Sequence, residues 1–219
     1  MHPIHALTQP ASARSPQPFG ELLEFGVNVL VVERTTHASV AAALDEVARG
    51  DAFEHGANLD AAQPDLEELL QPILNPVARR FLEQDIASIT RDYGALLGRR
   101  HVHGQLSVVE HDGCRKLHVD HVSVRLLCTY SGPGTQWVRN EDVVRSNLAR
   151  IDVDIDEANR SVLQHRDAIQ QCKTGDILLL KGEGFGEGRG SGAVHRSPPI
   201  VDRELRRLVF KIDEGPCGC

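Results

Sequence analysis

The sequence predicts an α+β fold in which N-terminal helices pack outside a C-terminal antiparallel β-sandwich or barrel. Two observations carry this. Up to Gly98 most apolar residues recur at helical spacing, whereas beyond it they gather in short β-rich runs separated by turn residues. Helices followed by strands segregate into layers rather than alternating as in a parallel sheet. A chain of 219 residues and 24.0 kDa is one domain by prior. At that size folding hides roughly 70% of the unfolded surface, enough for a core without metal or disulfide staples.

Residues 1–20 carry Pro3, Pro10, Pro16 and Pro18 among Ser, Ala and His and lack the apolar stretch of a secretory signal, so a disordered lead-in and a cytoplasmic protein are expected. Residues 27–32, with Val27, Val29, Leu30, Val31 and Val32, read as a buried strand. Thr35 or Thr36 can cap a helix over 37–49, where Val40, Ala43, Leu44 and Val47 share a face and Gly50 stops it. Residues 51–63 read as a loop, and Leu66, Leu69 and Leu70 as a short helix. From Pro76 to Leu97 one stripe (Val77, Phe81, Leu82, Ile86, Ile89, Tyr93, Leu96) marks the longest helix, ended by Gly98. Strands are predicted over 106–109, 117–124, 126–130, 177–180 and 205–212, with turns at 111–113, 131–134 and 173–176. The expected organisation is a single domain over 21–213, with helical support in 21–98 and a β core in 99–213, then a tail, 214–219, with Cys217 and Cys219.

Composition excludes several classes. Lys and Arg number 24 against 31 Asp and Glu, a net charge of −7, and aromatics make up 4%. Both disfavour a nucleic-acid partner, which needs phosphate neutralisation or stacking platforms. No apolar run approaches the roughly 20 residues of a membrane span. Five scattered cysteines suit free thiols better than a disulfide framework.

Metal-ligand chemistry concentrates in two places. In a strand over 117–124, His118 and Asp120 project to one face and Val119 and His121 to the other. The segment Gly192-Ala193-Val194-His195-Arg196-Ser197-Pro198-Pro199 ends a short strand on another histidine. Two histidines and one carboxylate form the facial triad of non-haem Fe(II) oxygenases, so His118, Asp120 and His195 are the candidate ligands. Arg206 and Arg207 follow 11 and 12 residues after His195 and offer a planar fork for a carboxylate. Rival features are weaker. The stretch with His101, His103, His111, Cys114, His118 and His121 lacks the paired spacing of a zinc site. The glycine-rich residues 182–192 have no following helix to cradle phosphate and read as a mobile flap beside His195 or as a plain hairpin. Asp152, Asp154, Asp156 and Glu157 read as a solvated turn, and Trp137 as a packing anchor.

The order His-x-Asp, Arg125 to Tyr130, Gly175-Asp176 before an apolar strand, His195-Arg196-Ser197-Pro198-Pro199 and a final Arg-led strand resembles the double-stranded β-helix of Fe(II)/2-oxoglutarate dioxygenases, in particular the prolyl-hydroxylase-like branch, over about 114–213. More closely, His118-Val119-Asp120-His121-Val122, Thr129-Tyr130-Ser131-Gly132-Pro133-Gly134-Thr135, Leu180-Lys181-Gly182 and the segment around His195 resemble domain-of-unknown-function family 1826 from about Phe25 onward, a family that brings no activity with it. The dioxygenase resemblance implies a jelly-roll or cupin-like barrel and Fe(II), 2-oxoglutarate and O2 as cofactors. It implies His118, Asp120 and His195 as the catalytic metal ligands and Arg207 as partner of the distal carboxylate of 2-oxoglutarate. Arg206 is its close rival, Tyr130 could add a hydroxyl, and Arg196 and Arg125 could compete for the anion. Val209 departs from the Ser or Thr often found two residues after that arginine. Two functions follow: a hydroxylase-type dioxygenase acting on a small molecule or protein side chain, or a non-catalytic cupin-like metal-binding protein of zinc or iron homeostasis. They part at Arg207, which only the first needs inside the barrel.

Overall fold

The computed structural model describes residues 19–186 and 190–215. The expected lead-in before Phe19 and the cysteine pair Cys217 and Cys219 lie outside the described residues. The described chain runs β1 (Val29–Val32), α1 (Ala38–Arg49), β2 (Phe53–Asp60), α2 (Glu67–Leu70), α3 (Pro76–Leu97), β3 (His101–Val109), β4 (Val124–Ser131), β5 (Gln136–Val138), α4 (Ile155–Val162), β6 (Ile169–Gln171), β7 (Ile177–Lys181), β8 (Val194–Arg196) and β9 (Arg207–Asp213). No helix among the described residues is long and apolar enough to cross a membrane.

Helix α3 carries its own boundaries. Asn75 accepts from the Val77 and Ala78 amides, Pro76 takes the first position, and Gly98 closes the helix at φ 61° with its amide on Gly94 O. Ala78, Leu82, Ile86, Ile89 and Tyr93 form its buried face. Helix α1 is capped by His37, whose Nδ1 accepts from Ser39 N, rather than by Thr35 or Thr36.

The strands form two antiparallel sheets. The larger has the order β1-β7-β4-β9-β3-β2 and the smaller β6-β5-β8. Alternation decides what each face of the larger sheet meets. Leu106, Val108, Leu126, Cys128, Leu208, Phe210 and Ile212 join Leu44, Leu82, Ile86 and Tyr93 in one core under the helices. Their neighbours Gln105, Ser107, Val109, Arg125, Leu127, Arg207, Val209 and Lys211 line a chamber on the other face. The smaller sheet covers part of that face, where Leu178 and Leu180 pack with Cys172, Ala193 and Trp137. The molecule is thus a mixed α and β fold, sheet-rich, with α1, α2 and α3 against one face of the larger sheet and α4 packed beside the smaller sheet.

Three sequence readings are corrected. Residues 53–60 are a strand, not a loop: Phe53, His55, Ala57 and Leu59 alternate with more exposed neighbours, but Glu54, Gly56 and Asn58 give the run a weak strand composition. Residues 117–123 form no strand; they make one bridge, His118 to His195, and then turn, while β4 takes Val124 together with 126–130. The acidic cluster is not a turn but the start of α4. Asp154 caps it by accepting from Glu157 N, and Asp156 and Glu157 sit in the first turn, where the helix dipole favours negative charge.

Candidate metal centre and anion pocket

Three chain segments bring His118, Asp120 and His195 together. A bridge in which the His118 and His195 amides each donate to the other's carbonyl, both at 3.0 Å, sets the two rings side by side with centroids 4.4 Å apart. The backbone leading to His118 is pinned by α4: Asn159 Oδ1 accepts from Leu117 N at 2.7 Å and its Nδ2 donates to Arg115 O at 3.0 Å. Asp120 lies in the following turn, held by a bond from Glu183 N to Asp120 O at 2.8 Å, while Gly182 N donates to Ser123 O and Gly184 N to Val122 O. A Cβ on Gly182 would collide with Val122 O, so this glycine exists for close backbone approach. The start of the glycine-rich segment therefore clamps the ligand turn; Gly188, in its middle, lies outside the described residues.

One ligand atom from each of the three residues lies within 4.8 Å of the other two, a group able to hold a metal ion. The tautomers fit that role. His118 Nδ1 is 2.8 Å from Lys116 O and His195 Nδ1 is 3.1 Å from Ala193 O. A carbonyl only accepts, so each Nδ1 carries a proton, which leaves Nε2 as the nitrogen of each ring that faces Asp120 and is available to a metal. Those nitrogens stand 3.6 Å from Asp120 Oδ1 and 3.2 Å from Oδ2, and the buried Oδ2 makes no aligned hydrogen bond among the described residues. Two ring nitrogens beside a buried carboxylate oxygen with no aligned hydrogen bond call for a cation between them, a proton on an imidazole in the metal-free protein or a metal ion in its place. Burial, and then the neighbouring His195, pushes His118 below the usual imidazole range. Burial opposes the charge on Asp120, but His195 and Arg125 outweigh it and hold the carboxyl at about 2. Both ligands are in the metal-binding state at neutral pH.

His118 and His195 open onto the chamber, which has a volume of about 250 Å³. Arg207 enters it from β9. The residue is 4% exposed, and its guanidinium donates from Nε to Pro133 O at 2.8 Å and from Nη2 to Thr129 Oγ1 at 3.1 Å and Thr135 Oγ1 at 3.2 Å. No carboxylate pairs with it among the described residues, and burial lowers its pKa to about 10, offset in part by Cys172. It remains a cation at neutral pH, buried and without a counter-ion. The turn that presents Pro133 and Thr135 needs Gly132 (φ 81°), whose Cβ would strike Arg206 O.

The other predicted anion contacts separate. Arg206, the rival for the anion, is a correction: it points outward, donating to Gly50 O and, at 3.0 Å, to Glu110 Oε2. Tyr130 is a correction. A bulge in β4 between Thr129 and Ser131 turns Tyr130 and Ser131 both toward the helices, where Tyr130 OH donates to Asp85 Oδ2 at 2.7 Å and Ser131 Oγ to Asp45 Oδ1 at 2.6 Å. Arg196 reaches the chamber's edge and donates to Gln136 Oε1 at 2.8 Å. Arg125 is committed to Asp120 and Asp213, and so does not compete for an anion. Thr129, Thr135, Asn159 and Asp213 were missed by sequence reasoning, since their partners lie 42 to 88 residues away and no local pattern marks them.

A family model described as "Protein of unknown function (DUF1826)" matches residues 13–213. No curated protein matches the chain. Among solved structures, the Fe(II)/(alpha)ketoglutarate-dependent dioxygenase TqaL is 13% identical over 91% of this chain and 89% of its own, with a TM-score of 0.46. The dioxygenase for auxin oxidation 1 of Arabidopsis thaliana is 10% identical over 88% and 85%, with a TM-score of 0.44. A Pseudomonas putida prolyl-4-hydroxylase is 11% identical over 85% and 91%, with a TM-score of 0.39.

Proposed function

The chain belongs to the DUF1826 family, whose description assigns no activity, and we propose from its site chemistry that it is a non-haem Fe(II)- and 2-oxoglutarate-dependent dioxygenase carrying out a hydroxylase-type oxidation. The observation that carries this reading is the buried, carboxylate-free guanidinium of Arg207 in the same chamber as His118 and His195. A metal store has no use for a second, anion-binding subsite beside its metal, whereas a dicarboxylate cosubstrate needs one. The two facing antiparallel sheets, with the ligands on the smaller sheet's side and Arg207 on the larger, support reading them as a double-stranded β-helix.

His118 Nε2, His195 Nε2 and one oxygen of Asp120 would hold Fe(II), leaving positions open for ligands. With 2-oxoglutarate bound, the iron supplies oxygen activation and C–H hydroxylation. The residues of the chain bind and orient. Arg207, fixed by Pro133, Thr129 and Thr135, would receive the distal carboxylate without side-chain reorganisation. The Nδ1 bonds to Lys116 O and Ala193 O keep both imidazoles from rotating.

The test is a titration of anaerobic, Fe(II)-loaded protein with 2-oxoglutarate, following the visible charge-transfer band of the bidentate chelate. The band should appear in the wild type and in Arg206→Ala and be lost in Arg207→Ala. No band in the wild type, with stoichiometric metal binding retained, would favour the non-catalytic metal-binding function instead.

A further inference from the structure

Asp120 sits in a turn, where the backbone alone does not fix its carboxylate. Something else must. Arg125, at the start of β4, reaches it with Nη1 2.8 Å from Asp120 Oδ1. The same guanidinium grips Asp213, the last residue of β9, through Nε to Oδ1 at 2.7 Å and Nη2 to Oδ2 at 2.8 Å. Asp213 is 0% exposed and the Arg125 side chain 12%. The two-point grip fixes the guanidinium plane, and the plane fixes where its third donor falls. Charge is balanced as well: Asp213 neutralises Arg125, so Asp120 keeps its negative charge for a cation. With Oδ1 occupied by Arg125, Oδ2 is left without an aligned hydrogen bond, turned toward His195 Nε2.

We propose that Arg125, locked by Asp213, is a positioning residue of the metal centre that holds Asp120 in a one-oxygen presentation and so sets its affinity for a divalent cation. This rests on the metal-binding part of the function proposed above, not on the cosubstrate. It gives β9 two tasks at opposite ends: Arg207 for the anion and, through Asp213 and Arg125, the orientation of a metal ligand.

The test is a Co(II) titration of the apo protein, read as affinity and as the visible d–d spectrum, beside a thermal melt of each apo variant. In Arg125→Lys the charge facing Asp213 is kept, but one ammonium cannot hold both carboxylates. Asp213→Asn keeps the shape and removes the lock. Each variant should weaken Co(II) binding 10- to 100-fold, the usual effect of losing a partner of a metal ligand, and alter the spectrum while the apo protein still melts cooperatively. If one variant fails to fold, the other decides. Folded variants that bind Co(II) within threefold of the wild type with an unchanged spectrum would overturn the proposal and leave the pair a structural ion pair. A wild type that binds no divalent cation would overturn the metal centre and this proposal together. Metal binding without a response to 2-oxoglutarate would overturn only the dioxygenase reading.

Discussion

Arg206 and Arg207 are adjacent in sequence yet serve opposite sides of the sheet: Arg206 meets Gly50 and Glu110 at the surface, and Arg207 meets Pro133, Thr129 and Thr135 inside the chamber. The β9 pleat separates them. Leu208, Phe210 and Ile212 must face the helices, so Arg207 goes with Val209 and Lys211 to the other side.

A buried cation without a counter-ion costs folding free energy. Arg207→Met should therefore raise the stability of the apo protein by about 1 kcal/mol while abolishing anion binding, the trade-off expected of a functional site. Urea denaturation checks the first part. A destabilised variant would mean that the bonds to Pro133 and the two threonines outweigh the buried charge.

Tyr130→Phe should leave 2-oxoglutarate affinity unchanged and lower stability by about 1–2 kcal/mol, because its hydroxyl serves the half-buried Asp85 and not the chamber. A drop in cosubstrate affinity with unchanged stability would place the hydroxyl at the site after all.

Gly182→Ala puts a Cβ onto Val122 O, a backbone atom that moves only with the ligand turn. We expect at least a tenfold loss of metal affinity and a lower melting temperature. Gly186→Ala, with nothing within 4 Å of its Cβ, should match the wild type in both measurements.

Asn159→Ala strips the buried Leu117 amide and Arg115 carbonyl of their partner. Leaving such groups unsatisfied costs about 1–3 kcal/mol. Chemical denaturation should show that loss, and metal affinity should fall with it because the segment carrying His118 is released.

Asp120 titrates at about 2 in the folded apo protein against an ordinary 3.8. Between those values the unfolded chain binds more protons, so the stability Asp120 contributes is present above pH 3.8 and is lost as pH falls toward 2. The contribution is about 2 kcal/mol at most. The stability difference between wild type and Asp120→Asn should shrink by that order over this window in metal-free buffer; a constant difference would show that Asp120 does not titrate there.

The sequence by itself determined what is local. Helix α3 was legible to the residue because Asn75, Pro76 and Gly98 are chemical signals for its two ends. The ligand set was legible because His118-x-Asp120 and, after an apolar strand, His195 stand in one order with an Arg-led strand following. The route from sequence to their convergence was not: His118 and Asp120 meet His195 through a single bridge and a turn, not through the alternation of a strand. Strand β2 and helix α4 escaped because Glu54, Gly56 and Asn58 give β2 a weak strand composition and the acidic residues around Asp154 read as a solvated turn, whereas pairing with β3 and the packing of Val162 against Leu117, Val138 and Val194 define them in the fold. The tertiary structure alone decided which charges are spent. Arg125 meets Asp213 across 88 residues, whereas Arg207 meets carbonyl and hydroxyl oxygens and no carboxylate among the described residues. Whether a cation is neutralised or left to bind a ligand depends on what the fold sets beside it, and that neighbourhood is made by register between distant strands.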